Sequence, residues 1–215
     1  MILKTLKIKT FLADPTNCYI IHDEITKETM VIDPAGETDK ILEMLEILEA
    51  KLKYIVVTHC HGDHVGGVNE LRQKAGGTIL LHRICERNIN NQEIMLTEYI
   101  GMEPVILTDV RRVDDEDLLH LGDIQMRVIH TPGHTSGGIS LYFKEDKMLF
   151  SGDTLFRGTW GRTDLPTGSL EEIMNSIVNK LLILPDDTLV YPGHGVSTII
   201  REEKPIYLRL EPRGY

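Results

Sequence analysis

Thr58-His59-Cys60-His61-Gly62-Asp63-His64 follows directly on the short β-branched run Tyr54 to Val57, and it packs three imidazoles and one carboxylate into six residues. With only 9 histidines in 215 positions, random placement gives such a cluster roughly one time in a thousand. Imidazole nitrogen and carboxylate oxygen together suit zinc, iron or manganese. Further along the chain one arrangement repeats, a hydrophobic strand leading into a His or Asp beside glycine. Met126 to His130 leads into Pro132-Gly133-His134, Met148 to Phe150 into Ser151-Gly152-Asp153, and Leu189 to Tyr191 into Pro192-Gly193-His194. Strand ends in layered sheets gather along one edge, where glycine lets the backbone approach a ligand. Seven donors, His59, His61, Asp63, His64, His134, Asp153 and His194, are therefore expected to converge on one cleft. Seven exceed the need of one tetrahedral ion and suit two. A bridging carboxylate would leave each ion three or four protein ligands, as in a two-metal hydrolytic site.

The periodicity around these segments sets the expected frame. Strand patterns cover Leu3 to Ile8, Cys18 to His22, Thr29 to Ile32, Tyr54 to Val57 and Thr78 to Leu81 in the first half. Helical spacing covers Glu37 to Ala50 and Val65 to Lys74. Ile84 to Gly101 is polar, in part helical, and has the length of an insertion over one end of the fold. In the second half, strands are expected at Asp117 to Leu121, Ile124 to Ile129, Ile139 to Phe143, Met148 to Phe150 and Thr188 to Tyr191. Helices are expected at Leu170 to Leu181 and at Thr198 to Lys204, the last halted by Pro205. Both halves run strands, helix, strand, without a Pro-, Gly- or Ser-rich linker between them. The predicted class is α/β, an αββα sandwich of two mixed sheets with outer helices, in one domain spanning 1–215.

Composition narrows the partners. The 23 Lys and Arg against 33 Asp and Glu leave a net charge of −10 with no basic run, which speaks against nucleic acid. With 41% hydrophobic and 26% charged residues the chain reads as globular. No apolar stretch reaches the ~18 residues of a membrane span, and Met1 to Phe11 lacks a signal-like apolar core. Cys18, Cys60 and Cys85 are too few and too scattered for a disulfide framework, and reduced thiols fit a cytoplasmic protein. Cys60 should pack rather than react, and Asp114-Asp115-Glu116-Asp117 should be a solvated loop.

The set His59-x-His61-x-Asp63-His64, Pro132-Gly133-His134-Thr135, Ser151-Gly152-Asp153-Thr154-Leu155-Phe156, Gly161-Arg162 and Pro192-Gly193-His194 resembles that of metallo-β-lactamase-fold hydrolases, and among them the glyoxalase II-like (hydroxyacylglutathione hydrolase-like) proteins. The resemblance implies the metallo-β-lactamase fold. It also implies one metal on His59, His61 and His134 and a second on Asp63, His64 and His194, with Asp153 bridging. Zinc is the first expectation, with iron and manganese as alternatives. Asp63 and Asp153 would be the catalytic carboxylates, and Asp33, in Val31-Ile32-Asp33-Pro34, sits where the family has an aspartate behind the ligands.

A metal-bound hydroxide attacking a polarised carbonyl suits a thioester, whose thiolate leaves with a conjugate-acid pKa of about 8.5 and needs no general acid. The family's activity agrees, S-lactoylglutathione being its foremost substrate, so a small-molecule thioester is the expected partner. Arg162, Trp160 and Arg157 are candidates for the substrate mouth. The chain departs from glyoxalase II in having Val196 where a tyrosine stands, and 21 residues after His194 where that family continues into a glutathione-binding helical region; weaker glutathione binding is the expectation. Three alternatives remain open. An iron-dependent persulfide dioxygenase shares Gly161-Arg162-Thr163-Asp164 and would use His59, His134 and Asp153; a lactonase needs the same hydroxide; a non-catalytic metal-holding interaction module should have lost a ligand, and none is lost. Oligomeric state is not encoded in any of these motifs.

Overall fold

A computed structural model describes residues 1–10 and 13–207; the single-domain expectation for 1–215 thus runs on into 208–215, outside the described residues. The first half contributes β1 (Ile2–Ile8), β2 (Thr16–His22), β3 (Glu28–Ile32), α1 (Thr38–Ile47), β4 (Lys51–Val56), α2 (Gly62–Val65), α3 (Val68–Ala75), β5 (Thr78–His82), α4 (Arg83–Asn88), α5 (Gln92–Met95) and β6 (Val110–Val113). The second contributes β7 (Leu118–Leu121), β8 (Ile124–His130), β9 (Ile139–Phe143), β10 (Met148–Gly152), β11 (Leu155–Phe156), β12 (Thr159–Trp160), α6 (Leu170–Ser176), β13 (Leu189–Pro192), β14 (Thr198–Ile199) and α7 (Ile200–Tyr207).

Two six-stranded mixed sheets result, β1-β2-β3-β4-β5-β6 and β14-β13-β10-β9-β8-β7. Side chains alternate across each strand, so a strand buried on both faces feeds two cores. In β2, Tyr19 and Ile21 join Met30, Val56, Phe143 and Phe150 between the sheets. Ile20, between them, points the other way and packs with Ile41, Leu45, Val68 and Leu71 of α1 and α3. The second sheet does the same outward, where Tyr142, Leu149 and Val190 meet Ile173, Ile177, Ile200 and Tyr207. The layering is therefore α/β/β/α, as the pattern of elements predicts.

Several boundaries differ from expectation. The helix expected over Glu37 to Ala50 stops at Ile47, because Glu49 turns to a positive φ of 52° and the chain must re-enter the sheet at Lys51. The helix expected over Val65 to Lys74 is broken into α2 and α3 at Gly66-Gly67, where the backbone lies against the 34–35 turn; Gly67 N–H donates to the Pro34 carbonyl at 2.7 Å. The Leu170 to Leu181 helix widens into a π turn over Ile177–Leu181, seen in Leu182 N–H reaching the Ile177 carbonyl at 2.8 Å. Thr198 and Ile199 are a strand paired with β13, not the start of a helix. Pro205 does not stop α7, which runs on to Tyr207. One missing N–H is outweighed there by the buried Tyr207 ring and its hydroxyl, which donates to the Thr159 carbonyl at 2.7 Å. Among the described residues no helix is long and apolar enough to cross a membrane.

Candidate metal centre

β8 and β10 run in the same direction through antiparallel β9, and β13 runs parallel to β10. Their carboxyl ends share an edge with that of β4, and the expected donors sit there. His59 and His61 lie in the loop after β4, Asp63 and His64 in α2, His134 after β8, Asp153 after β10 and His194 after β13. The structure brings all seven together, in three overlapping groups of mutually adjacent donor atoms. These are His59, His61 and His134; Asp63, His64 and His194; and His59, His64 and Asp153.

Within the first group His61 Nδ1 lies 3.1 Å from His59 Nε2 and 3.0 Å from His134 Nε2. In the second, His64 Nε2 and His194 Nε2 are 3.2 Å apart, and Asp63 Oδ2 is 3.3 Å from His194 Nε2. Asp153 stands between them, Oδ1 at 3.5 Å from His64 Nε2 and Oδ2 at 3.5 Å from both His134 Nε2 and His194 Nε2.

The far nitrogens decide what the near ones can do. Thr58 Oγ1 donates to Asp33 Oδ2 at 2.7 Å, so it accepts from His59 Nδ1 at 3.2 Å. His64 Nδ1 donates to Asp33 Oδ2 at 2.9 Å, His134 Nδ1 to the Arg162 carbonyl at 2.8 Å and His194 Nδ1 to the Pro15 carbonyl at 3.2 Å. With Nδ1 protonated, the Nε2 atoms of neutral rings present lone pairs toward the shared space. Asp33, on a left-handed backbone at φ 51°, also takes the Thr58 N–H at 2.7 Å.

A cation fits this donor set. His61 Nδ1 faces the Nε2 atoms of two neutral rings at 3.0 and 3.1 Å and can donate to one of them at most, so facing lone pairs repel there unless something positive lies between them. Ligands about 2.05 Å from a tetrahedral ion stand about 3.3 Å apart, close to these spacings. Asp153 Oδ1 is buried with no hydrogen-bond partner among the described residues. Gly193 keeps the cradle open, since a Cβ there would lie 2.1 Å from Asp153 Oδ1 and 2.7 Å from His64 Cε1.

Electrostatics divide the centre. Burial, reinforced by the neighbouring histidines, pushes His59 well below its ordinary pKa; burial lowers His61 and His134 likewise. Burial works against charge on His64 too, but Asp153, Asp33 and Asp63 overcome it and raise that ring to about 10. His194 is raised despite burial by Asp153 and Asp63. Burial tends to raise Asp63, yet His64 and His194 hold its carboxyl below the usual range. The two sides thus differ, one of neutral imidazoles and one of strong negative potential.

The centre opens into a cleft of about 370 Å³ lined by His61, Asp63, His134, Asp153, His194 and Arg162, with Leu96, Tyr99, Ile100 and Phe156 as an apolar wall. Arg162 is thus at the mouth, its guanidinium engaged by Asp164 at 2.9 and 3.0 Å. Arg157 lines an adjoining cavity instead. Trp160 is absent from both linings; its ring packs beside Tyr207, centroids 5.9 Å apart, in the outer core of the second sheet. It sits opposite Leu155 in a two-residue strand pair whose pleat turns it that way. Thr58, Leu96, Tyr99, Ile100 and Phe156 were not among the sequence candidates. Thr58 and Phe156 stand beside motif residues, whereas Leu96, Tyr99 and Ile100 come from the polar insertion and carry no local signal. Cys60 is buried in the core with Cys85, and His82 stacks on His130 at 4.0 Å, away from the donors.

Comparison with known proteins agrees with this geometry. The model of the metallo-beta-lactamase superfamily matches residues 12–194. Hydroxyacylglutathione hydrolase GloC of Haemophilus influenzae is 35% identical over 190 residues, covering 87% of this chain and 89% of that protein. The crystal structure of the BLEG-1 B3 metallo-beta-lactamase superposes with a TM-score of 0.89 at 30% identity, over 98% of this chain and 100% of the other. TTHA1623, solved in a di-iron-bound form, gives 0.82 at 29% identity over 94% and 96%.

Proposed function

The chain belongs to the metallo-beta-lactamase superfamily, as a metallo-hydrolase with a histidine-rich metal site, and from that premise we propose that it hydrolyses acyl thioesters of a small thiol such as S-lactoylglutathione. The observation that carries the proposal is the placement of Asp153, 3.5 Å from ring nitrogens of both donor triads. His59, His61 and His134 would hold one divalent ion and Asp63, His64 and His194 another, with Asp153 reaching both. Zinc suits this nitrogen-rich set, as do iron and manganese. When bound, such ions supply a water acidic enough to attack at neutral pH and positive charge for the carbonyl oxygen.

The chain's own residues do the rest. Asp33 and Thr58 fix the His64 and His59 rings, and the Arg162 carbonyl fixes His134. Leu96, Tyr99 and Ile100 offer the acyl group an apolar wall. Beyond the donor set, the titratable side chains lining the cleft among the described residues are Asp14, Tyr99 and Arg162; a thiolate leaves without the help of any of them, which suits a thioester. The similarity to GloC, a hydroxyacylglutathione hydrolase by name, supports the same substrate class.

Metal analysis of purified protein together with thiol release from S-lactoylglutathione tests the proposal. Two ions per chain and saturable thiol release are expected. One iron per chain, no thioester turnover and oxygen uptake with a persulfide would replace it with a dioxygenase.

A further inference from the structure

Behind Phe156 and His194 lies a second cavity, about 620 Å³, lined by Lys7, Asp14, Phe156, Arg157, His194 and Val196 among others. It shares Asp14, Phe156 and His194 with the metal cleft, so a substrate whose carbonyl sits at the metals can extend into it. Its charge is unusual for a chain of net charge −10. Lys7, on β1, donates to the Gly195 carbonyl at 2.5 Å, which fixes its ammonium one residue from His194. Arg157 stands exposed at the turn between β11 and β12 and, among the described residues, belongs to no ion pair. Arg162 differs, its charge already met by Asp164.

The hairpin that presents Arg157 is clamped from behind by α7. The buried Glu203 accepts the Gly158 N–H at 2.9 Å and the Thr198 hydroxyl at 2.6 Å, while Tyr207 holds Thr159. Two cations thus line one cavity, with one exposed carboxylate, Asp14, in the same lining.

We infer that the Lys7–Arg157 cavity is the subsite for the thiol carrier and recognises a carboxylate on it, the carrier bearing more carboxylates than ammonium groups. The inference rests on the thioesterase proposal and adds which end of the substrate is read, and by what. Contacts this far from the carbonyl act on binding, so their loss appears mainly in KM.

The test compares the acetyl thioesters of 3-mercaptopropionate, whose carrier is anionic, and of N-acetylcysteamine, whose carrier is neutral. The wild type should favour the anionic carrier in kcat/KM, and that preference should fall about ten-fold in Lys7→Gln and in Arg157→Gln, the size of a lost charged contact. A ratio is unaffected by any fraction of inactive protein. An unchanged preference in both variants overturns the inference. Calorimetric binding of S-methylglutathione, which has two carboxylates and no free thiol, reads the cavity without turnover. Weakening of about ten-fold in either variant supports it; no binding by the wild type, or equal binding by all three proteins, rejects it. Failure of every thioester to turn over, with S-methylglutathione binding intact and sensitive to both substitutions, would sink the hydrolase reading and leave the subsite standing.

Discussion

Asp153 lies 3.5 Å from ring nitrogens of both triads, and under the two-ion proposal its removal would leave two cations without their shared anion. Asp153→Ala should therefore lower the metal content below that of the wild type and cut turnover by about 10²–10³-fold or more; wild-type stoichiometry with retained activity would exclude a bridging role. Asp33 acts one step back. It accepts the Thr58 N–H and hydroxyl and the His64 Nδ1–H, and Asp33→Ala strands all three buried donors. Metal affinity should fall about 10–100-fold and stability by about 2–3 kcal/mol, measured by competition with a chelator and by urea unfolding. Away from the centre, His82 gives a pH signature. Burial, together with the stacked His130 and the Arg83 charge, lowers its pKa to about 4 against the pull of Asp114 and Asp115. The unfolded chain takes up this proton near pH 6.5 and the folded chain only near 4, so the stability this residue contributes is present above pH 6.5 and is lost as the pH falls toward 4. Screening by solvent around the neighbouring exposed Arg83 and Asp115 limits the loss to roughly 1–2 kcal/mol. Urea midpoints of wild type and His82→Gln between pH 4.5 and 7 check it: the variant should lose less on acidification, and parallel curves would contradict the assignment. The donors themselves were legible because His59, His61, Asp63 and His64 crowd into six residues, and His134, Asp153 and His194 each follow a glycine just after a strand. Lys7 was not, because its partner is 188 positions away and no local pattern marks such a contact.

At the scale of elements, the strands that were legible are those buried on one or both faces, such as β2 and β9, where hydrophobic residues crowd a short run. β6 was missed for the opposite reason. Val110-Arg111-Arg112-Val113 has two exposed arginines at its centre, and it is a strand only because β5 offers a parallel partner. Pro205 misled because a local rule about helix breaking yields to the burial of Tyr207 two residues later. Gly66 and Gly67 fall inside the helix expected over Val65 to Lys74, yet they break it and let the α2–α3 junction touch the turn that carries Asp33. A Cβ on Gly66 would lie 2.4 Å from the Ala35 carbonyl oxygen and 2.7 Å from the Met102 methyl. Met102 can swing aside, but the backbone at Ala35 cannot move without shifting Asp33. Gly66→Ala is therefore expected to cost about 2–3 kcal/mol and to weaken metal binding as well. Denaturation and chelator competition on the variant would show both losses; a loss of stability alone would mean that the turn relaxes without disturbing the aspartate.

Taken as a whole, the molecule places its donors on both halves of the sandwich. His59, His61, Asp63 and His64 follow β4 in the first sheet, while His134, Asp153 and His194 follow β8, β10 and β13 in the second. Each triad takes members from both, since His134 completes the first and His194 the second. The layered fold was legible because two halves of like element order must bury two sheet faces against each other. That donors from the two halves meet at one edge was legible too, since strand ends in layered sheets gather there, and the structure brings them together. An ion bound by both sheets binds the folded chain and not the unfolded one, so it stabilises by about 4 kcal/mol when free metal exceeds its dissociation constant a thousand-fold. For a chain of this length one kcal/mol moves the midpoint by about 2–4 °C, so stripping one such ion should lower Tm by about 8–16 °C. Calorimetry before chelation, after it and after adding zinc back should show the drop and its recovery. His134→Ala, which removes the second sheet's donor from the first triad, should shrink the recoverable part. An unchanged Tm on removal of all bound metal would mean that the two sheets hold the centre in place without help from the ions.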